Sequence, residues 1–149
     1  MKVFLDTNIF LEYFQERQQC RSVKKIFDAI EDKKLDAVIS IGCIYTLDYL
    51  IRVGLKRLNI HRPEQTRKLR EALNTILEFA TVVGTSHDNI VNAINDETFD
   101  DIEDSFQYQC ALQNKCDVLL TINLRDYPAA DITPIIILSP DDFCKAYLQ

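Results

Sequence analysis

Short apolar runs alternate along this chain with longer segments in which apolar residues recur at helical spacing. The runs predict strands at 3–5, 37–39, 81–84, 116–121 and 134–138, and the helical spacing predicts helices at 9–15, 20–31, 41–55, 64–79, around 88–94, 101–114 and from 140 onward. Strands that alternate with helices form a mostly parallel sheet covered on both faces. The pattern therefore predicts an α/β fold of three α/β/α layers with a central sheet of about five strands, and 149 residues suit one domain, 1–149.

Polar residues mark the starts of several predicted helices. Thr7 and Asn8 are suitable caps for the first helix, and Asp88 is suitable for the short helix that follows the third strand. Ser139 followed by Pro140 predicts the start of the last helix, because Pro is favoured in a first helical turn behind a Ser cap.

Polar side chains also follow the first and fourth predicted strands. Asp6 ends the first strand, and Thr121 ends the fourth, with Asn123 and Asp126 close behind. An Asp in this place is often only a turn or cap residue. In open α/β sheets, however, ligands bind outside the carboxyl ends of the strands. These residues are therefore candidates for a site, and the acids on the helices decide between the two interpretations.

Two of the predicted helices contain acids whose position needs an explanation. Asp48 falls on the apolar stripe of the third helix, where a carboxylate is costly unless it is paired, protonated or bound to metal. It could instead reach solvent or pair with Arg52 four residues on. Asp101, Glu103 and Asp104 begin a later helix, where acids complement the helix dipole. That explanation suffices for Asp101 and Glu103, but for Asp104 only if it faces water.

Composition excludes several classes of protein. The chain is 47% apolar and 27% charged, no segment approaches the ~18 apolar residues of a membrane span, and Asp6 and Asn8 interrupt the apolar run that a signal peptide would need. Five widely spaced cysteines with no CxxC pair are expected to be reduced thiols in the cytoplasm. Two histidines do not complete a zinc set, so the cysteines are expected in the core.

The acids together indicate a type of chemistry. Asp6, Asp48, Asp104 and the segment 121–126 can meet at one edge of the predicted sheet. Carboxylates brought close together repel one another, and a divalent cation relieves that repulsion. Oxygen ligands without His or Cys favour Mg²⁺ or Mn²⁺, and such sites activate water for cleavage of phosphodiesters. The sequence therefore predicts a metal-dependent phosphodiesterase.

Three stretches of the sequence, in this order, resemble the PIN-domain ribonucleases. They are Val-Phe-Leu-Asp6-Thr-Asn8-Ile, the helix start Asp101-Ile-Glu-Asp104 with Ala111 further along, and Asp117-Val-Leu-Leu-Thr121-Ile-Asn123-Leu-Arg-Asp126-Tyr. The similarity extends over nearly the whole chain and is greatest to the small toxins of bacterial toxin–antitoxin pairs. It implies a PIN-like fold, a Mg²⁺ or Mn²⁺ site, endonucleolytic cleavage of RNA, an antitoxin partner and a homodimer.

The resemblance also implies roles for individual residues. The candidate catalytic and metal-binding residues are Asp6, Asp48, Asp104 and Asp126, and the supporting candidates are Asn8, Thr121, Asn123 and Asp101. Asp6 and Asp104 match the principal metal ligands of the family. Asp48 stands where the family more often has Glu, so its contact could run through water. Asn123 stands where many relatives have Asp, which removes a charge and could weaken the binding of a second ion.

Basic residues are concentrated in one part of this acidic chain. The net charge is −6, yet seven Lys and Arg residues lie between 52 and 70. The candidates for RNA contact are Arg52, Lys56, Arg57 and Arg62. Cations there would bind phosphates and make the affinity salt-dependent. Because Glu64 and Glu71 are interspersed, the segment could equally be a solvated helix face.

Other functions remain open at this point. Phosphatases with an aspartyl nucleophile also place Asp after strand one, but they need a second Asp where this chain has Asn8. A receiver-type phospho-acceptor would not distribute its acids over helices. The third alternative is a catalytically impaired PIN-like module that binds RNA or protein. Asp48 and Asn123, as departures from the family pattern, favour that alternative.

Overall fold

The computed structural model describes residues 1–127 and 134–149. Its elements are, in chain order, β1 (Lys2–Leu5), α1 (Thr7–Phe14), α2 (Cys20–Glu31), β2 (Asp36–Ser40), α3 (Ile41–Arg57), α4 (Glu64–Phe79), β3 (Thr81–Val83), α5 (His87–Asn95), α6 (Ile102–Gln113), β4 (Val118–Leu120), a 3-10 turn (Leu124–Asp126), β5 (Ile136–Leu138) and α7 (Pro140–Tyr147). No helix among these residues is long and apolar enough to cross a membrane.

The five strands form one parallel sheet in the order β3-β2-β1-β4-β5. The predicted α/β fold with a central parallel sheet is therefore confirmed. The chain adds β2 and β3 on one side of β1 and then β4 and β5 on the other. The order of strands thus reverses between β1 and β4, and such a switch point is where open α/β sheets bind their ligands.

Apolar cores cover both faces of the sheet. Val3 and Leu5 of β1 pack into the larger core with helices α1, α2, α3, α4 and α7, whereas Phe4 packs into the second core with α6. Successive side chains of a strand point to opposite faces, so a strand buried on both faces needs an unbroken apolar run. This is why the runs in the sequence predicted the strands well.

The start of α1 differs from the prediction. Asp6, rather than Thr7 or Asn8, is the N-cap residue, and its Oδ1 accepts a hydrogen bond from the Thr7 backbone N–H at 2.7 Å. Asp6 is therefore the single residue between the end of the strand and the start of the helix. The tight junction places Asp6 at the carboxyl end of β1, where its side chain is 4% exposed.

Two further helix starts test the capping predictions. The predicted cap Asp88 lies inside α5, and Ser86 is the actual cap, with its Oγ accepting from the Asn89 backbone N–H at 3.2 Å. Both residue types are good caps, and the helix selects the one that precedes its first turn. Ser139 caps α7 with Pro140 in the first turn, as predicted.

Candidate active site

Asp6 is surrounded by hydrogen-bond donors. Its Oδ2 accepts from the Thr121 hydroxyl at 2.8 Å, the Tyr127 hydroxyl at 3.2 Å and the Asn8 Nδ2 at 3.4 Å, in addition to the Thr7 backbone bond to Oδ1. Burial raises the pKa of Asp6 above its ordinary value, and these donors oppose the shift. The donors thus fix the carboxylate in one orientation.

The same donors connect α1 with the loop that follows β4. Asn8 Oδ1 accepts from the Ile122 backbone N–H at 3.1 Å, and its Nδ2 lies 3.4 Å from Thr121 Oγ1. Thr121 Oγ1 also accepts from the Asn123 backbone N–H at 3.1 Å. Asn8 and Thr121 therefore lie beside Asp6, as the sequence predicted. Asn123 contributes its backbone here, while its side chain is exposed.

Asp104 lies in the first turn of α6 and is 7% exposed. Its Oδ2 is buried and has no hydrogen-bond partner within the described part of the chain. Burial raises its pKa from 3.8 to about 7, and the negative charges of Asp6, Asp101, Asp126 and Glu103 add to that effect. The charged neighbours that shift its pKa are therefore all acidic.

Three more acids lie around Asp104. Asp101 caps α6, with its Oδ1 accepting from the Glu103 backbone N–H at 2.9 Å, and Asp126 is exposed in the 3-10 turn. Burial raises the pKa of Glu103, and the charges of Asp101 and Asp6 raise it further. The structure thus adds Glu103 to the acidic group. The sequence had assigned Glu103 to the helix dipole alone, because acids in a first helical turn complement that dipole.

Asp48 is placed differently from the other predicted acids. Its carboxylate forms an ion pair with Arg52 one turn later on α3, and its side chain is 34% exposed. It is not among the charges that raise the pKa of Asp6 or Asp104. This is the arrangement that the i to i+4 spacing allows. A role for Asp48 in metal binding stays a prediction.

Tyr127 is a site residue that the sequence did not indicate. Its ring packs edge-on against Phe99 in the second core, with centroids 5.8 Å apart, while its hydroxyl donates to Asp6. Burial and the charges of Asp6 and Asp104 raise its pKa well above the ordinary value, so the hydroxyl remains a donor. An aromatic residue in a loop has no pattern that would predict such a contact.

The residues present fit a hard divalent cation. Asp6 and Asp104 are buried acids, and one Asp104 oxygen has no hydrogen-bond partner among the residues that the structure describes. The pKa of Asp104 is raised in part by neighbouring negative charge. Across residues 1–127 and 134–149, no three His, Cys, Asp or Glu side chains approach closely enough to form a complete metal cage. Mg²⁺ does not need one, since it keeps several waters and binds through one or two carboxylates.

The basic residues divide into paired and unpaired groups. Arg52 pairs with Asp48, Arg67 with Glu64 and Glu71, and Lys68 with Glu64. Between residues 52 and 70, the exposed basic side chains that form no ion pair with a described residue are those of Lys56, Arg57, Arg62 and Arg70. Of the predicted RNA-contacting residues, Lys56, Arg57 and Arg62 thus have free charges and Arg52 does not.

The site can now be compared with known proteins. The model of the PIN domain matches residues 2–125. The chain belongs to the PIN-domain family. The match covers Asp6, Asp48 and Asp104 but ends before Asp126. Family membership removes the aspartyl-phosphatase and receiver alternatives.

Individual relatives agree with this assignment. The chain is 26% identical over 149 residues to Ribonuclease VapC1 of Aquifex aeolicus (strain VF5), which covers 98% of this chain and 95% of that protein. The crystal structure of VapBC2 from Rickettsia felis bound to a DNA fragment from their promoter matches with a TM-score of 0.64 at 15% identity, over 93% of this chain and 98% of the other. A toxin–antitoxin complex from Klebsiella pneumoniae matches with a TM-score of 0.59 at 23% identity, over 93% and 97%. The two structures show a shared fold.

Proposed function

We propose that this PIN-domain protein is a metal-dependent endoribonuclease that hydrolyses RNA phosphodiesters with activated water. The observation that carries the proposal is the buried Asp104 Oδ2, which has no hydrogen-bond partner in the described part of the chain. The charge of Asp6 helps to raise the pKa of this carboxyl group. A buried carboxylate without a partner is costly, and a bound cation would offset that cost. The similarity to a protein named as a ribonuclease supports RNA as the substrate.

Asp6 and Asp104 would hold the cation, which we propose to be Mg²⁺ or Mn²⁺. When bound, the cation supplies positive charge toward the phosphodiester and activates water for in-line attack. Thr121 and Tyr127 keep the Asp6 carboxylate oriented by donating hydrogen bonds to its Oδ2. Asp101, Glu103 and Asp126 extend the negative surface around Asp104 and would hold water near a cation rather than replace its inner ligands.

The proposed partners of the protein are RNA, an antitoxin and a second copy of the chain. The likeness to two structures of toxin–antitoxin complexes supports a toxin role and an antitoxin partner. Exposed apolar side chains on one face of α3, where Tyr45 is 69% and Tyr49 is 60% exposed, support a homodimer. All five cysteines are buried free thiols, as expected for a cytoplasmic protein.

The phosphates of RNA would be bound by unpaired cations at the end of α3 and the start of α4. Lys56 and Arg57 lie in the last turn of α3, and Arg62 precedes α4. Each phosphate contact releases counterions, so RNA affinity should fall as the salt concentration rises. Arg52 would contribute only if substrate displaced its ion pair with Asp48.

The test is cleavage of a mixed RNA pool by the purified protein with Mg²⁺, with Mn²⁺ and with a chelator. Asp6→Asn should lower the rate at least about 100-fold, because ligand geometry at metal sites controls both affinity and turnover. Asp36→Asn is the matched control, since Asp36 is an exposed acid at the opposite end of the sheet. RNA binding without cleavage under any metal would favour the catalytically impaired binding module. The Asp48–Arg52 ion pair and the uncharged Asn123 are the observations that support this second candidate.

A further inference from the structure

Gln107 lies one turn after Asp104 on α6, and its amide is buried beneath the site. Its Oε1 accepts from Ser40 Oγ at 2.6 Å. Its Nε2 lies 3.0 Å from Cys43 Sγ and 3.5 Å from Thr7 Oγ1. Both ends of the amide are therefore occupied by polar partners from outside α6.

These partners connect α6 with the strand ends at the site. Thr7 is the residue whose backbone N–H donates to Asp6, and its hydroxyl lies 3.3 Å from Cys43 Sγ. Ser40 ends β2 and caps α3, since its Oγ accepts from the Cys43 backbone N–H at 3.0 Å. Thr7, Ser40, Cys43 and Gln107, which we call the buried polar cluster, thus connect the helix of Asp104 to the residue beside Asp6.

The cluster opposes a force that acts at the site. Asp6 and Asp104 are both buried acids of this site, so two ionised carboxylates would repel each other and push α6 away from the end of β1. Buried polar groups that are all hydrogen-bonded favour a single arrangement of the elements that they join. The Cys43 thiol adds no charge, because burial and the charge of Asp6 raise its pKa to about 11.

We propose that Gln107 is a positioning residue that fixes the separation of Asp104 from Asp6 and thereby the affinity of the site for a divalent cation. The inference rests on the proposed function. It assigns Gln107 no contact with RNA or with the cation, because the hydrogen bonds that its side chain forms among the described residues are all to Ser40, Thr7 and Cys43.

The test compares two buried residues of α6. Gln107→Met keeps the side-chain volume but removes both polar groups. Ser105→Ala is the matched control, because Ser105 is also buried next to Asp104, yet its Oγ donates to Ala93 O at 2.8 Å, outside the cluster. The readouts are Mn²⁺ affinity by electron paramagnetic resonance, kcat and KM for RNA cleavage, and urea unfolding.

Gln107→Met should weaken Mn²⁺ binding and lower kcat, each by about 10- to 100-fold, while KM for RNA stays unchanged. A loss of this size is usual when a group that orients metal ligands is removed. Ser105→Ala should bind Mn²⁺ and cleave like the wild type even if it unfolds more easily. Equal Mn²⁺ affinity in the two variants would overturn the proposal. If Gln107→Met does not fold, Cys43→Ala replaces it. The Mn²⁺ affinity of Cys43→Ala should then be at least about threefold weaker than that of the wild type, and an unchanged affinity would overturn the proposal.

The Mn²⁺ measurement separates this proposal from the proposed function. A wild-type protein that binds Mn²⁺ but cleaves no RNA would contradict the nuclease, while the affinity of Gln107→Met would still decide the role of Gln107. A wild-type protein that binds no Mn²⁺ would overturn both.

Discussion

Asp6 and Asp104 are two buried acids in one site with opposite surroundings. Asp6 accepts hydrogen bonds from two hydroxyls, one backbone N–H and one side-chain amide, whereas Asp104 Oδ2 accepts none within the described residues. Asp6 is therefore integrated into the fold, since its donors also connect α1 with the loop after β4. Asp104 lacks such support, and its free oxygen is available to a ligand.

The difference follows from where each residue stands in the chain. Asp6 lies at a junction between strand and helix, where backbone and loop donors converge. Asp104 lies in the first turn of α6 among other acids, Asp101 and Glu103. The helix dipole favours an acid there by about 0.3–1 kcal/mol, which is less than the cost of burying an unpartnered carboxylate. Asp104 is thus destabilising in the metal-free protein, and this contrast with Asp6 can be tested.

The largest expected effect comes from Asp104→Asn. Because the pKa of Asp104 is about 7 in the folded protein and 3.8 as its ordinary value, its ionisation opposes folding by about 4 kcal/mol at most, at about 1.4 kcal/mol per pKa unit. This destabilisation is absent below about pH 4, grows as the pH rises and is complete above about pH 7. Asp104→Asn should therefore raise the free energy of unfolding at pH 8 in chelator, measured with urea.

The pH dependence provides a second check on Asp104. The wild type should be more stable at pH 5 than at pH 8 by about 3 kcal/mol, and the variant should show a smaller difference. Part of the slope should remain, because burial raises the pKa of Asp6 in the same direction. Asp36→Asn, which changes an exposed acid, is the control. A variant no more stable than the wild type at pH 8 would show that Asp104 is not strained by its charge.

A smaller effect is expected from removing one donor to Asp6. Thr121→Val deletes a buried hydroxyl that donates to the carboxylate at 2.8 Å and should lower the free energy of unfolding by about 2 kcal/mol. Thr98→Val is the matched control, because the Thr98 hydroxyl donates to Asp96 at 2.6 Å in an exposed turn. Its effect should stay within about 0.5 kcal/mol. Equal losses of unfolding free energy in the two variants would mean that a hydrogen bond to the buried Asp6 stabilises the protein no more than one to an exposed acid.

The smallest expected effect concerns α6 as a whole. Lys115 follows the helix with φ 55°, a left-handed conformation that Gly adopts more easily. Lys115→Gly should raise the free energy of unfolding by about 0.5–1 kcal/mol, equally at pH 5 and pH 8. Lys115→Ala removes the same charge but keeps a Cβ, so it should give no gain. A gain in unfolding free energy that is seen only at pH 8 would indicate that the destabilisation at Asp104 depends on the conformation of α6 and not only on the charges around Asp104.

The sequence predicted the frame of this protein better than its details. Val3–Leu5 predicted a strand buried on both faces, and α4 has the predicted bounds of 64–79. Helix caps were less predictable, since Asp6 and not Thr7 or Asn8 caps α1, and Ser86 and not Asp88 caps α5. Several residue types cap almost equally well, and a shift of one or two residues in the helix start decides which one does.

The sequence likewise predicted the positions of some site residues and missed others. Asp6, Asn8 and Thr121 lie together as their positions predicted, because parallel strands bring their carboxyl ends to one edge. Their roles and that of Asp104 stay predictions. Asp48 fell on the apolar stripe of α3, yet its spacing from Arg52 offered a local partner. Glu103, Tyr127 and Gln107 had no signal in the pattern, because their contacts come from other elements.

By itself, then, the sequence determined the order of strands and helices along the chain and that Asp6 and the residues after β4 lie at one edge of the sheet. Both depend on hydrophobic periodicity and on the chain direction of parallel strands. Only the tertiary structure decided that Asp6 accepts several hydrogen bonds and that one Asp104 oxygen has no partner among the described residues. The donors Thr121 and Tyr127 lie far from Asp6 in sequence. Packing of the two cores brings them close to it, and no local pattern encodes that distance.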